Sequence, residues 1–251
     1  AFIQVAESVA NPAKYFQNNA TNGLNLLNAM VANGVKTIVF SSSAAVYGRP
    51  RRTPITEAAP LAPFNPYGGT KKLFELLLEE YHKAYGLGYT SLRYFNVVGA
   101  YQGAGEDHRP ETHLVPLILK AALGRTRRFQ IYGDDYATRD GTCIRDYVHV
   151  YDLARAHVLA LKASPAQARV FNLGSEHGFT VKEVFAAACR ITGQRIPYSI
   201  APRRAGDVPC LVASSRRIRQ ELNWRPERGT LDQMIGDAWE WHQQHPNGYS
   251  D

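Results

Sequence analysis

The sequence has no apolar run approaching the roughly 20 residues that a membrane-spanning helix requires, and its N-terminus lacks the pattern of a secretory signal. Cysteine is scarce. Cys143, Cys189 and Cys210 are odd in number and show no metal-ligand spacing, which fits unpaired thiols in a reducing compartment and gives no reason to expect a metal site. A dense block of one charge is also missing. The net charge of +7 includes dispersed doublets, Arg51-Arg52, Arg127-Arg128, Arg203-Arg204 and Arg216-Arg217, unlike the single basic run of a nucleic-acid tail. Neither repeats nor low-complexity stretches occur. These absences point to the cytoplasm, with no membrane and no nucleic acid as partner. The 251 residues, 45% hydrophobic and 20% charged, can bury the core of one large domain or of a domain with a smaller lobe.

The stretch from Val39 to Lys71 organises the rest. Lys36 to Phe40 reads as a short buried strand, so Ser41-Ser42-Ser43 fall at its C-terminal end, where open α/β sheets place their ligand crevices. After Pro66 the apolar positions Leu73, Phe74, Leu76, Leu77, Leu78 and Tyr81 keep a helical period, which puts Tyr67 and Lys71 on one helix face. A phenol is a poor base near neutrality, and a neighbouring ammonium is expected to favour the phenolate and lower its pKa. With a serine hydroxyl aimed at the same oxygen, that pair can take the proton of an alcohol while hydride leaves its carbon.

The serine run through Gly48, Tyr67-Gly68-Gly69-Thr70-Lys71, Leu92-Arg93-Tyr94-Phe95-Asn96 and the segment Asp140-Gly141-Thr142-x-x-Arg145-Asp146-Tyr147-Val148-His149-Val150 together resemble the extended short-chain dehydrogenase/reductase superfamily. Within it, the UDP-hexose 4-epimerases are the nearest likeness, over essentially the whole chain. The resemblance implies an α/β fold with a doubly wound parallel sheet, Rossmann-like and truncated at its N-terminus, and a smaller C-terminal α/β substrate lobe. It implies Ser43, Tyr67 and Lys71 as catalytic residues, and NAD held by Asn18, Ser41, Tyr67, Lys71, Tyr94 and Phe95. On the UDP-sugar side it implies Asn96, His113, Leu114, Gln130, Tyr132, Arg145, Arg204, Asp207 and Leu211, with Arg145 and Arg204 on the diphosphate and Asp207 on the uridine ribose. His113 departs from the usual asparagine and is expected to act through its backbone. Ile3 replaces a frequent lysine, which removes one cofactor contact. His149 and Asp152 are expected to tie their strand to the next helix.

The two residues after Ser43 separate the relatives. Eliminating water requires a general acid and a base besides the tyrosine, and the 4,6-dehydratases carry an acid pair there. This chain has Ala44 and Ala45. Oxidation and re-reduction at sugar C4, interconverting UDP-galactose and UDP-glucose, is the expected reaction. A UDP-arabinose/UDP-xylose 4-epimerase and a non-catalytic nucleotide-sugar binding protein are the alternatives. Residues 1–10 hold no strand and glycine-rich turn of the dinucleotide-binding type, so the chain is expected to be a fragment, residues 1–98 being the remainder of the NAD-binding domain. Residues 99–251 are expected to be mainly the substrate lobe, with some segments returning to the Rossmann sheet. Without the pyrophosphate cradle, no turnover is expected of it as it stands. The resemblance also implies a homodimer through helices over 12–33 and 66–85.

Overall fold

The computed structural model describes residues 1–163, 166–204 and 206–249. In chain order its helices are α1 (Val5–Ala10), α2 (Pro12–Tyr15), α3 (Asn22–Ala32), α4 (Pro66–Tyr85), α5 (Leu114–Ala122), α6 (Val150–Lys162), α7 (Val181–Thr192), α8 (Arg216–Leu222) and α9 (Leu231–Gln244). The strands are β1 (Thr37–Ser43), β2 (Gly88–Tyr94), β3 (Asn96–Val98), β4 (Phe129–Tyr132), β5 (Ile144–His149), β6 (Ala168–Leu173), β7 (Gly178–Thr180), β8 (Tyr198–Ala201) and β9 (Cys210–Leu211). The chain separates into two compact units, residues 1–95, 155–173 and 213–224 forming one and residues 96–154, 174–212 and 225–251 the other. Among the described residues no helix is long and apolar enough to cross a membrane.

The first unit is a parallel sheet in the order β1-β2-β6, the Rossmann-like α/β arrangement expected from alternating strand and helix. Central β2 is buried from Gly88 to Arg93, as a strand covered on both faces must be. Leu27 of α3 and Phe74 and Leu78 of α4 pack with Leu87 and Tyr89 in the core on the helical side. Asn65 starts α4 by accepting from Gly68 N at 2.8 Å ahead of Pro66, an N-cap followed by a proline already suited to the first turn.

Three local readings of the sequence change here. The serine run does not follow β1 but belongs to it, Ser41, Ser42 and Ser43 standing in register with Leu92, Arg93 and Tyr94. The helix expected from Asn11 to Asn33 is broken by a π-helical turn over Phe16–Thr21, and α1 precedes it. The strand expected over 89–96 ends at Tyr94, and Asn96 opens β3 in a different sheet, pairing with Tyr147 of β5.

The second unit holds β3-β5-β7 with β9 beside β5, and a separate parallel pair β4-β8. Val115, Ile118 and Leu119 of α5, Phe129 and Ile131 of β4, Val184 of α7 and Ile235 of α9 form its core. The capping box foreseen at Thr180 and Glu183 is formed: Thr180 N donates to Glu183 Oε2 at 2.9 Å and Glu183 N to Thr180 Oγ1 at 3.0 Å. His149 Nδ1 accepts from Tyr151 N at 3.0 Å, joining β5 to α6, while its Nε2 lies 3.1 Å from Asp237. An ideal Cβ on Gly99 would stand 2.4 Å from His149 Nε2, so glycine is what lets that ring approach the chain. Asp152 instead caps the backbone N–H groups of Glu227 and Arg228 at 2.8 and 2.9 Å, so its tie runs to the C-terminal segment.

Candidate active site

Ser43 ends β1 and caps the short 3-10 turn Ala44–Tyr47, its Oγ accepting from Ala45 N at 3.2 Å. That bond occupies a lone pair and leaves the hydroxyl proton to be donated. The first turn of α4 closes on the same place. An ideal Cβ on Gly68 would meet the Ala45 carbonyl oxygen at 2.6 Å, so only a residue without a side chain brings Tyr67 so near the Ser43 turn. From the other side Ser8 Oγ accepts from Tyr67 N at 3.1 Å.

Tyr67 is 8% exposed, and burial pushes its phenol up to about 12, the Ser43 hydroxyl opposing that rise and the charge of an ionised Tyr94 adding to it. The direction is opposite to the lowering expected from Lys71. The ammonium stands 5.8 Å from the Tyr67 ring centroid, and its own burial brings it down to about 8, with Glu75 working the other way. Desolvation therefore governs both groups in the protein alone. Lys71 Nζ donates to Ser41 O at 2.8 Å and lies 5.0 Å from the Phe40 ring centroid. An ammonium has three donors, so this buried one has N–H groups to spare, and they suit the vicinal hydroxyls of a ribose such as NAD carries.

Ser41 Oγ lies 2.9 Å from His157 Nε2, and burial raises the Tyr94 phenol while the Ser41 hydroxyl opposes that. Phe95, buried, leaves β2 with its N–H donated to Leu173 O at 3.1 Å. Asn18 is half-buried in the π-helical turn and donates to Asn19 Oδ1 at 2.9 Å. Asn19, which carries no signal in the sequence, is the more deeply bound: its Nδ2 donates to Phe2 O at 3.0 Å and to Thr70 Oγ1 at 3.2 Å. Thr70 in turn donates to Tyr67 O at 2.8 Å.

Beneath the pair runs a network that the sequence pattern did not show. Arg93 and Glu75 pair at 2.5 Å with side chains 6% and 7% exposed. Ser42 Oγ donates to Glu75 at 2.5 Å and Arg93 Nη1 to Tyr47 Oη at 2.9 Å. Tyr47 Oη donates to Asn172 Oδ1 at 2.6 Å. Burial opposes the Arg93 charge, and the Glu75 carboxylate outweighs it and holds the pKa above its usual value. No local signal marks such a network, because its members come from β1, the 3-10 turn after it, α4, β2 and β6.

In the second unit, Arg145 and Leu211 face each other in the β5-β9 register. Arg145 Nη1 donates to Val208 O at 2.6 Å and to Ile144 O at 2.9 Å, and its Nη2 stands 3.5 Å from Asp207 Oδ1. Arg204 lays its guanidinium 3.9 Å from the Tyr132 ring centroid, and Tyr132 Oη donates to Gln130 Oε1 at 3.0 Å. A planar, permanently charged guanidinium held by carbonyls and a carboxylate suits phosphate oxygens. Leu114 packs on the core. The His113 N–H donates to Glu111 Oε1 at 2.7 Å, and its imidazole faces Glu106.

Known proteins with this geometry agree among themselves. The sequence profile of the NAD dependent epimerase/dehydratase family matches residues 2–174. The chain is 51% identical over 255 aligned positions to the UDP-glucose 4-epimerase of Lacticaseibacillus casei, covering 100% of this chain and 77% of that protein. A crystal structure of a UDP-glucose 4-epimerase superposes with a TM-score of 0.96 at 45% identity, covering 100% of this chain and 78% of the other. A UDP-glucose 4-epimerase from Bifidobacterium longum, solved with NAD+ and UDP, gives a TM-score of 0.95 at 42% identity over 99% of this chain and 76% of that one.

Proposed function

Because the chain belongs to the NAD dependent epimerase/dehydratase family, we propose that it is a UDP-glucose 4-epimerase, interconverting UDP-galactose and UDP-glucose by transient oxidation at C4 of the sugar. The observation that carries this reading is the 51% identity to a UDP-glucose 4-epimerase across the whole chain. The residues after Ser43 choose between the two chemistries in the family's description. Ala44 and Ala45 offer no carboxyl beside the serine, which leaves a dehydration without its acid and base and takes nothing from an epimerisation, whose proton transfer needs only the tyrosine and serine.

In this reading Tyr67, as phenolate, takes the proton of the sugar 4-hydroxyl, and Ser43 donates a hydrogen bond to the same oxygen as it becomes a carbonyl. Lys71 orients the cofactor ribose and supplies positive charge near the phenol. NAD+ held beside them would supply the hydride acceptor for C4 and positive charge that favours the phenolate. The 4-keto sugar turns over before the hydride returns, and Tyr67 gives the proton back to O4, so no redox equivalent is consumed. Asn18, Ser41, Tyr94 and Phe95 complete the cofactor side in the first unit.

Arg145 and Arg204 grip the diphosphate, Asp207 the uridine ribose, and Asn96, Leu114, Gln130, Tyr132 and the backbone of His113 contribute to the sugar nucleotide side. Leu211 stands where relatives sort sugars by size, and leucine, neither bulky nor small, favours neither class. Anchoring through UDP is what allows both faces of the ring to be presented, since binding energy spent far from C4 restrains neither orientation. A second copy of the chain packs against helices over 12–33 and 66–85; the exposure of Phe16, Leu26 and Leu76 there supports that assembly.

The test is NMR of UDP-galactose with NAD+ supplied, using the 251-residue chain and the same chain carrying a glycine-rich βαβ unit at its N-terminus. UDP-glucose should form with the extended chain, and Tyr67→Phe should slow it by about 10³–10⁴-fold. Conversion of UDP-xylose in its place would move the assignment to a pentose substrate, and failure on both would leave a nucleotide-sugar binding protein.

A further inference from the structure

The loop that leads into α5 gathers a set of side chains that the epimerase chemistry does not use. Glu106, His108, Glu111 and His113 each offer one ligand atom, and these atoms all lie within 4.8 Å of one another. His113 Nδ1 stands 2.6 Å from Glu106 Oε1 and 3.4 Å from Glu111 Oε1. His108 Nδ1 stands 3.0 Å from Glu106 Oε1 and 3.7 Å from Glu111 Oε2. A tetrahedral cation about 2.0–2.2 Å from each of its nitrogen and oxygen ligands separates those ligands by about 3.3 Å. Three of the four contacts lie within about 0.4 Å of that spacing, and the 2.6 Å contact of His113 with Glu106 would open to admit the cation.

A second observation concerns direction. The Glu111 side chain is 2% exposed, and its Oε2 is buried without a hydrogen-bond partner, as are Nδ1 of His108 and Nδ1 of His113. Glu106 and Glu111 lie close enough to His113 Nδ1 to share a proton with it, and that is the contact a bound cation would replace. The other Glu111 oxygen is fixed, accepting from Thr112 N and His113 N at 2.7 Å each, the kind of outer bond that orients a ligating carboxylate.

We propose that Glu106, His108, Glu111 and His113 bind a divalent transition-metal cation of the zinc type. Two imidazoles and two carboxylates form a mixed nitrogen and oxygen set that suits Zn²⁺, and the two carboxylates balance its charge. Four protein ligands close such a site to water, so its work is structural: it clamps the loop over 106–112 to the start of α5. The three cysteines play no part, Cys143, Cys189 and Cys210 lying outside the cluster.

The test strips the full chain with a chelator and titrates it with Zn²⁺ and, separately, with Co²⁺. About one equivalent should bind, the cobalt form should show ligand-field absorption without a thiolate charge-transfer band, and Zn²⁺ should raise the melting temperature. His108→Ala and Glu111→Gln should each weaken uptake at least about tenfold, whereas replacing all three cysteines with serine should leave it unchanged. His108 is a third exposed, so its variant keeps a measurable fold if the buried Glu111 variant does not. No stoichiometric uptake, a thiolate band, or variants that bind like the parent would overturn the site and leave a proton-bridged ion-pair cluster.

Discussion

Around Ser43 and Tyr67 the polar groups are buried and mostly neutral, with the Lys71 ammonium pressed down to about 8 by its burial, whereas Arg145, Arg204 and Asp207 in the second unit are charged and partly open to water. The first group is placed by backbone: a strand end, a capped turn and a glycine set against a carbonyl. The second is placed by side-chain charge, guanidinium to carbonyl and carboxylate. Burial suits a site where proton affinities must be shifted, and charge suits a site that must hold a dianionic handle. In the proposed reading, chemistry and grip are thus built from different physics within one chain.

The sharpest way to break that division is Ser43→Ala. In the proposed mechanism it removes one donor to the developing carbonyl, so in the chain carrying the glycine-rich unit it should lower kcat by about 10²–10³-fold, with UDP affinity unchanged by isothermal titration. A comparable loss of UDP affinity would mean that the two groups are not separate in function. Arg145→Ala should do the reverse, weakening UDP by about 10–100-fold, the worth of a charged hydrogen bond, and leaving kcat within about twofold at saturation.

The smallest effect tests desolvation itself. Lys71 has a folded value of about 8 against 10.5 for the free group, so between those limits the unfolded chain binds more protons than the folded one. Stability must then rise with pH through that window and be lost as pH falls toward 8. Urea midpoints at pH 8 and pH 9.5 should show the parent gaining on Lys71→Met by about 1 kcal/mol, below the ideal linkage value because relaxation softens it. A flat difference would show that Lys71 is better solvated than its surroundings indicate.

Much of this was legible in the sequence because it is local. The spacing of Tyr67 and Lys71 fixes a shared helix face, the Thr180 and Glu183 pair announces its own cap, and the Asp140 to Val150 run carries Arg145 on a strand. What escaped depends on tertiary closure. The rise of the Tyr67 phenol comes from burial by distant segments, which no spacing encodes. The π-helical turn at Phe16–Thr21 arises where Asn19 bonds to Phe2 and Thr70. The split between β2 and β3 at Phe95 is invisible in a run of strand formers. The Glu106 to His113 cluster escapes for another reason: the cysteines show no metal spacing, and alternating His and Glu in a loop reads as surface.

The approach of Gly68 to the Ala45 carbonyl also says something about how this site can change over generations. The meeting of Tyr67 with Ser43 is stored largely in main-chain contact, with the Ser8 and Thr70 hydroxyls holding the Tyr67 backbone from the other side. The same arrangement makes the site brittle at one address. A single added methyl at position 68 would meet the Ala45 carbonyl oxygen at 2.6 Å and push Tyr67 away from Ser43 without touching either of them.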